Sequence, residues 1–235
     1  MQNEDNTAPE INLPWEHTFR VIPSKFPPVN FFEDLVDPSL MEELFHVESL
    51  TNDRLRDEIG DISLVPPEDR VSGRGSTVVM AAFTHISIHR TSRFSDGTFG
   101  VYYAAKTLET AIREKVHHTE KFLSSTNQEA ASVTMRVYHS SKILRPLIDV
   151  RDASFSDLHH PNSYVFSQAF GKEIKQSRAW GIVYNSVRHE GGECVAILRP
   201  SAVPLPVNQT QHYNLEWNGK KITAAIEIGG TVFTF

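Results

Sequence analysis

Cysteine is almost missing: Cys194 is the only one in 235 residues. A single thiol closes no internal disulfide, so the chain folds without a covalent staple and a reducing, cytoplasmic setting is expected. No stretch approaches the roughly 18 consecutive apolar residues that a membrane-spanning helix requires, so no membrane association is expected. The opening MQNEDNTAPEINLPWEH has neither a basic run nor an apolar one and does not read as a signal peptide. Also absent are the HExxH and CxxC pairs of zinc sites, the GxSxG elbow of serine hydrolases, and a complete phosphate loop. Positive charge is in deficit, with 23 basic side chains against 29 acidic ones and a net charge of −6. That balance argues against a general nucleic-acid or membrane-surface binder but leaves room for a local basic pocket.

Hydrophobic residues make up 40% and charged residues 22%, the mix of a globular chain that can bury a sizeable core. Residues 1–28 are rich in proline and are predicted to drape irregularly over the surface. Asp37-Pro38 is a helix-start signal, and Leu40, Leu44, Phe45, Val47, Leu50 and Leu55 continue at helical spacing toward Gly60. The β-branched stretch TVVMAAFTHISIHR is predicted to be a strand. FGVYYAA is a short strand. It leads into a helix capped by Thr107, whose apolar stripe is Leu108, Ala111, Ile112 and Val116. Glu114 lies about 60° from Ala111 on the helical wheel, at the lip of that stripe. Strands follow at 132–138 and 143–149. A further helix presents Phe166, Ala169, Phe170 and Ile174 as its core side. GIVYNSVRHEGGECVAIL reads as strand, loop, strand, with Cys194 as a small core residue. Asn218-Gly219 is the turn of a final hairpin. Strands outnumber helices without alternating with them, so the expected class is α+β with a mixed or antiparallel sheet. Residues 1–75 read as an N-terminal extension with a helical segment, and 76–235 as the main domain.

Few residues invite chemistry. His117-His118 and His159-His160 are adjacent pairs that point about 100° apart on a helix, poor geometry for one metal ion, so no metal is expected. The first pair reads better as helix-terminal residues that complement the dipole. Gly73-Arg74-Gly75 is a fragment of a phosphate loop, and Ser186 with His189 a fragment of a hydrolase site. Arg93, Tyr103, Glu114 and Ser186 remain. By type alone these are an arginine in a turn, a tyrosine in a strand, a glutamate on a helix and a serine after a strand, each with an ordinary structural use.

At these four residues the chain resembles the RES-domain family, which takes its name from Arg, Glu and Ser. The family stretch is an Arg-aromatic pair, a Gly-bearing turn, a strand ending in Tyr, and a helix whose Glu follows that Tyr by eleven residues. Arg93-Phe94, Gly97, Tyr103 and Glu114 stand in that relation. The later element, a strand followed by Ser-x-Arg and a Gly-rich loop, is matched by Ser186 and Arg188 in YNSVRHEGG. The resemblance covers about Thr77 to Val207. The turn after Arg93 is shorter than the Trp-Asn-Pro-Pro type of many members.

The resemblance implies a fold like that of ADP-ribosyltransferases and a toxin of a toxin–antitoxin pair. Such a toxin would cleave the nicotinamide–ribose bond of NAD, with inorganic phosphate as acceptor. NAD would then be a substrate, phosphate a co-substrate, and no cofactor is implied. Arg93, Tyr103, Glu114 and Ser186 would be the catalytic set, with Arg93, Tyr103 and Ser186 also holding NAD. An Xre-type helix-turn-helix antitoxin would cover the pocket and carry any DNA contact. Hydrolysis by water, ADP-ribosylation of a protein, a non-catalytic partner-binding module and assembly as a homo-oligomer stay open.

Overall fold

The computed structural model describes residues 7–24, 60–88, 91–229 and 232–234. Among these, ten strands make one sheet. They are β1 (Glu10–Ile11), β2 (His17–Pro23), β3 (Tyr102–Ala105), β4 (Ala131–Ser141), β5 (Leu147–Asp149), β6 (Gly181–Asn185), β7 (Glu193–Ile197), β8 (Asn208–Trp217), β9 (Ile222–Glu227) and β10 (Val232–Thr234). Their order across the sheet is β1-β5-β6-β7-β3-β2-β4-β8-β9-β10. The β5–β6 pair is parallel and every other pair is antiparallel. Among the described residues three α-helices accompany the sheet: α1 (Ser76–Thr84), α2 (Leu108–Ser125) and α3 (Val165–Gln176). The α+β class with a mixed, mostly antiparallel sheet is the one the sequence predicts.

Side chains alternate between the two faces as a strand requires. Tyr102, Ala104, Val183, Val195 and Ile197 pack on one face with Val79, Met80 and Phe83 of α1. Ala105, Ile182, Tyr184, Cys194 and Ala196 pack on the other with Phe94, Ala111, Phe155 and Leu158. Tyr102 and Tyr103 therefore part company at β3: Tyr102 enters the first core, and Tyr103 borders the second. Toward the β4–β8–β9 end, Ile112, Val116 and Leu123 of α2 close a third cluster over Met135, Val137, Tyr213 and Leu215.

Several expectations are corrected. The N-terminal residues do not drape over the surface. β2 sits between β3 and β4, with Phe19 opposite Ala105 and seven consecutive residues paired from His17–Ser141 to Pro23–Met135. The prolines misled because they flank the strands rather than interrupt them: Pro9 and Pro14 bracket β1, and Pro23 ends β2. The predicted strand after residue 76 is α1. Its buried residues Ser76, Val79, Met80, Phe83 and Thr84 follow a helical period that outweighs the β-branched content. The helix predicted around Asp37–Leu55 lies outside the described residues.

The core side of α3 is also different. Phe166 and Ala169 are exposed, and Phe170 and Ile174 are only partly covered, while Ser167 and Gly171 are buried. The small residues win because α3 presses directly on backbone: a Cβ at Gly171 would lie 2.1 Å from the Phe94 carbonyl oxygen. His117 and His118 lie mid-helix, since α2 continues to Ser125, and so cannot complement its C-terminal dipole. Burial lowers the His117 pKa to about 4, which leaves the ring neutral at physiological pH.

An ion network ties the strand ends beside the α2 N-terminus. Arg151 holds Asp149 through two nitrogens and also reaches Glu193, which Lys106 contacts as well. The Arg151 hydrogen bonds hold the Asp149 carboxyl below its usual range. For Glu193, burial pushes the pKa up, but hydrogen bonds from Lys106 and Arg151 outweigh it and the net direction is down. Carboxyls depressed in the folded state contribute stability above their unfolded pKa and lose it as the pH falls through the folded one. Unfolding free energy is therefore expected to drop as the pH is lowered from about 5 toward 3, and less steeply in Arg151→Met, as urea titrations at stepped pH will read. A second expectation concerns β2. Deleting residues 1–23 removes the strand that joins the two halves of the sheet, and the truncated chain is expected to lose its cooperative thermal transition by circular dichroism.

Candidate functional site

The four residues singled out by the sequence come from four separate elements and converge on one side of β3. Arg93 sits in a tight turn closed by Ser92 N–H donating to Ser95 O at 2.8 Å. Phe94 is the turn's anchor, with no exposed surface, edge-on to the Tyr184 ring at 5.0 Å. From α3, Gln168 Nε2 donates to both Ser92 O and Ser95 O, at 3.0 and 3.3 Å. The close approach at Gly171 and this amide clamp explain why α3 spends its small face inward: it fixes the arginine turn.

The Arg93 side chain is buried at 7% exposure. Its Nη1 donates to Leu158 O at 2.9 Å and to His160 O at 3.1 Å, and its guanidinium lies 4.9 Å from the Tyr164 ring centroid. The two carbonyls belong to the 3-10 segment Ala153–His159 and the residue after it. His159 bonds the Phe155 carbonyl through Nδ1 and accepts Asn185 N–H on Nε2, tying that segment to the end of β6. His160 Nδ1 accepts from Asn162 N–H and Ser163 N–H. The second histidine pair is thus divided between two structural tasks.

Tyr103 does more than present a ring. Its hydroxyl bonds Ser92 Oγ at 2.8 Å and accepts Phe94 N–H at 3.0 Å, gripping the chain on both sides of Arg93. Burial pushes its phenol up to about 12, so it stays protonated.

Glu114 is half-buried at the edge of the α2 stripe. Its Oε1 accepts the Ser186 hydroxyl at 2.6 Å. Ser186 begins the loop after β6 and is fixed by its own N–H to Gly192 O at 2.8 Å. Its Oγ accepts Arg188 N–H and His189 N–H, at 3.1 and 3.0 Å. A hydroxyl has one proton to give and two lone pairs to offer. Here both lone pairs are occupied by backbone donors, so the proton has one direction left, toward Glu114. His189 closes the arrangement from the other side, its Nδ1 2.9 Å from Thr110 Oγ1 on α2. Gly192 is required at that spot, because a Cβ there would meet the Thr110 side chain at 2.9 Å.

Arg93, Tyr103 and Glu114 line a cleft of about 210 Å³, with Ser186 immediately behind Glu114. The remaining lining includes Arg20, Ser92, Lys115, Tyr164, Tyr184 and Cys194. Three permanent cations, Arg20, Arg93 and Lys115, face it, and among the described residues Glu114 is its one carboxylate. A chain of net charge −6 therefore carries a cationic cleft, suited to an anionic ligand. Burial pushes the Cys194 thiol up, with the Glu114 charge adding to it, which suppresses the thiolate. Cys194 packs as a small apolar residue at 2% exposure. Sequence reasoning missed Arg20, Lys115, Tyr164 and Tyr184. The alternating HTFRVI around Arg20 was the available signal for a strand, and the surrounding prolines hid it. Gly73-Arg74-Gly75 lies away from this cleft: a Cβ at Gly75 would strike Val207 O at 2.0 Å, so that glycine serves packing. No group of three or more metal-ligating side chains occurs among the described residues, and none of their helices is long and apolar enough to cross a membrane.

The RES-domain family model matches residues 67–218, well over half the chain. The chain belongs to the RES-domain family. A relative from Sinorhizobium fredii (strain NBRC 101917 / NGR234), the uncharacterized protein y4oC, is 28% identical over 205 residues, which span 87% of this chain and 84% of that protein. A chain in the crystal structure of the M. tuberculosis MbcT–MbcA toxin–antitoxin complex superposes with a TM-score of 0.43 and 9% identity, over 89% of this chain and 87% of that one. A likeness at that level carries no argument about activity. β2 and its Arg20 lie outside the segment that the family model matches.

The Ser186 arrangement is open to test. Ser186→Ala leaves two backbone N–H groups and one carboxylate oxygen without their partner, and unfolding in urea is expected to show a loss of about 1–3 kcal/mol. Ser186→Thr, which keeps the hydroxyl, is expected to recover most of it.

Proposed function

We propose that the chain is the toxin of a toxin–antitoxin pair and that it degrades NAD by cleaving the nicotinamide–ribose bond, with inorganic phosphate as acceptor. The observation that carries this reading is a fixed carboxylate, Glu114, set beside Arg93 and Tyr103 in a cleft whose other charges are positive. A nicotinamide nucleotide is an anion at its diphosphate and develops positive charge at one ribose carbon as it reacts. A cleft with cations around a single held carboxylate suits both needs. Family membership supports the same reading.

The steps follow from the residues. The bond between ribose C1″ and the nicotinamide nitrogen breaks, and its electron pair leaves with the nitrogen as neutral nicotinamide. Positive charge spreads over C1″ and the ring oxygen, and Glu114 stabilises it as it develops. The Ser186 proton keeps the carboxylate aimed, so no reorganisation is needed at that moment. A phosphate oxygen then bonds to C1″, giving ADP-ribose 1″-phosphate. Arg93 has its Nη1 committed to two carbonyls, which holds the guanidinium still while its remaining edge grips a phosphate oxygen. Tyr103 presents its ring to nicotinamide or ribose while its hydroxyl maintains the arginine turn. The cleft volume of about 210 Å³ takes the nicotinamide riboside end. The adenosine end extends beyond it.

A neutralising partner completes the proposal: an antitoxin of the Xre helix-turn-helix type that covers the mouth of the cleft and carries the DNA contact. The acidic toxin itself leaves nucleic acid alone.

Proton NMR of nicotinamide release from NAD by the purified chain, with and without phosphate, tests the reading. Phosphate-dependent release is expected, together with a fall of about 10²–10³ in rate for Glu114→Gln, which keeps shape and removes charge. Release that ignores phosphate makes water the acceptor. Label passing from NAD to a protein makes the activity a transferase. No release by folded, antitoxin-free chain sinks the proposal.

A further inference from the structure

The apolar residues that the sequence assigns to the core side of α3 are not fully buried at any position. Phe166, Phe170 and Ile174 recur every four residues and so share one row of the helix. Ser167 and Gly171 take the inward side, and the row is turned outward. Phe166 is 64% exposed, and Val165 beside it is 68% exposed. Apolar side chains scattered singly over a surface need no explanation, but these adjoin a groove. The row lines a groove of about 630 Å³, three times the volume of the cleft. Phe155 and Leu158 of the 3-10 segment line it as well. Groove and cleft have no lining residue in common.

The charge of the groove has one sign. Asp157 and Glu173 are its charged lining residues; both are exposed, and neither makes an ion pair among the described residues. The lysines of α3 are engaged elsewhere. Lys175 donates to Leu198 O at 2.8 Å. The Asp96 carboxyl is held below its ordinary range, by Thr98 hydrogen bonds first and by the Lys172 charge as a smaller part, which places Lys172 on the side of the arginine turn. An apolar row flanked by acids suits a helix with apolar side chains at the same spacing and cations beside them. The rest of this chain does not supply one. MQNEDN before Thr7 has two acids and no base, and residues 25–59 are rich in acids, with Lys25, Arg54 and Arg56 as their only lysine and arginine residues. A second copy brings a net charge of −6 to an acidic groove.

We propose that this groove is a docking site for a basic amphipathic helix of a partner protein, seated along the Phe166–Phe170–Ile174 row with its cations beside Asp157 and Glu173. The apolar row supplies the affinity, and the two carboxylates select the partner and set its orientation. The inference rests on the groove alone and does not depend on the reaction proposed for the cleft.

Fluorescence anisotropy on the full chain tests this, with a labelled synthetic helical peptide of about 15 residues that carries Leu at helical spacing and Lys elsewhere. A second peptide has Glu in place of every Lys. The parent binds the basic peptide more tightly than the acidic one. Phe166→Ser, at an exposed position, weakens the basic peptide about tenfold or more. The double variant Asp157→Lys/Glu173→Lys weakens it about threefold or more and gains affinity for the acidic peptide. Glu16→Lys/Glu129→Lys makes the same change in net charge at exposed carboxylates outside the groove, and leaves the affinity for the basic peptide unchanged. A parent that does not bind the basic peptide overturns the proposal. So does a folded Phe166→Ser that binds as the parent does, and so does equal weakening by the two double variants, which makes the attraction one of net charge. If a double variant does not fold, Glu173→Lys and Glu16→Lys are compared singly and read in the same way. Sedimentation velocity of the peptide-free chain covers the other occupant: dimers of the parent that Phe166→Ser separates give the groove to a second copy and overturn the partner helix.

Discussion

One hydroxyl proton organises the cleft. Ser186 accepts two backbone N–H groups from its own loop, and this commits its proton to Glu114 on a helix 72 residues earlier in the chain. The bond couples the loop after β6 to the middle of α2, and the His189–Thr110 contact repeats the coupling one turn earlier on the helix. A carboxylate at the edge of an apolar stripe would otherwise sample several rotamers. Held at one oxygen, it offers the other to the cleft. Tyr103 does for Arg93 what Ser186 does for Glu114, gripping the backbone on either side of the residue so that a long, flexible side chain emerges from a fixed base. Both of these cleft charges thus depend on neutral hydroxyls whose proton directions are set by backbone groups.

The charge pattern follows a similar economy. Most acidic residues lie away from the cleft, which collects Arg20, Arg93 and Lys115 around a single glutamate. A net negative protein with a cationic cleft concentrates its attraction for a small anion at one place.

Much of this was legible in the sequence, and the failures are instructive. The α2 stripe, its Thr107 cap and the edge position of Glu114 follow from helical spacing, and Thr107 Oγ1 does accept Thr110 N–H. The Asn218-Gly219 turn stands where the sequence puts it, with φ of 91° at Gly219. These are local properties, written in neighbouring residues. β2 was invisible because its reason to exist is not local. Its partners lie on β3 and β4, and a segment punctuated by Pro9, Pro14 and Pro23 gives little sign of them. The inward face of α3 was misread for a related reason. Phe166 and Phe170 look like core on a wheel, yet the constraint there is a carbonyl pressed against Gly171, which no hydrophobicity count detects. Arg20 was missed along with its strand.

The position of β2 also bears on synthesis. His17 pairs with Ser141, and β3 beside it pairs through Tyr103 with Ala196. The strand is therefore made early, its partners β3 and β4 follow around the middle of the chain, and β7, which pairs with β3, only late. Closing such long loops is entropically costly and slow relative to local helix formation. On the ribosome the cleft exists only once β7 has left the exit tunnel and the sheet has closed around β2. Through most of its synthesis the nascent chain therefore has no cleft, because Ser186 and β7 belong to the last quarter of the polypeptide.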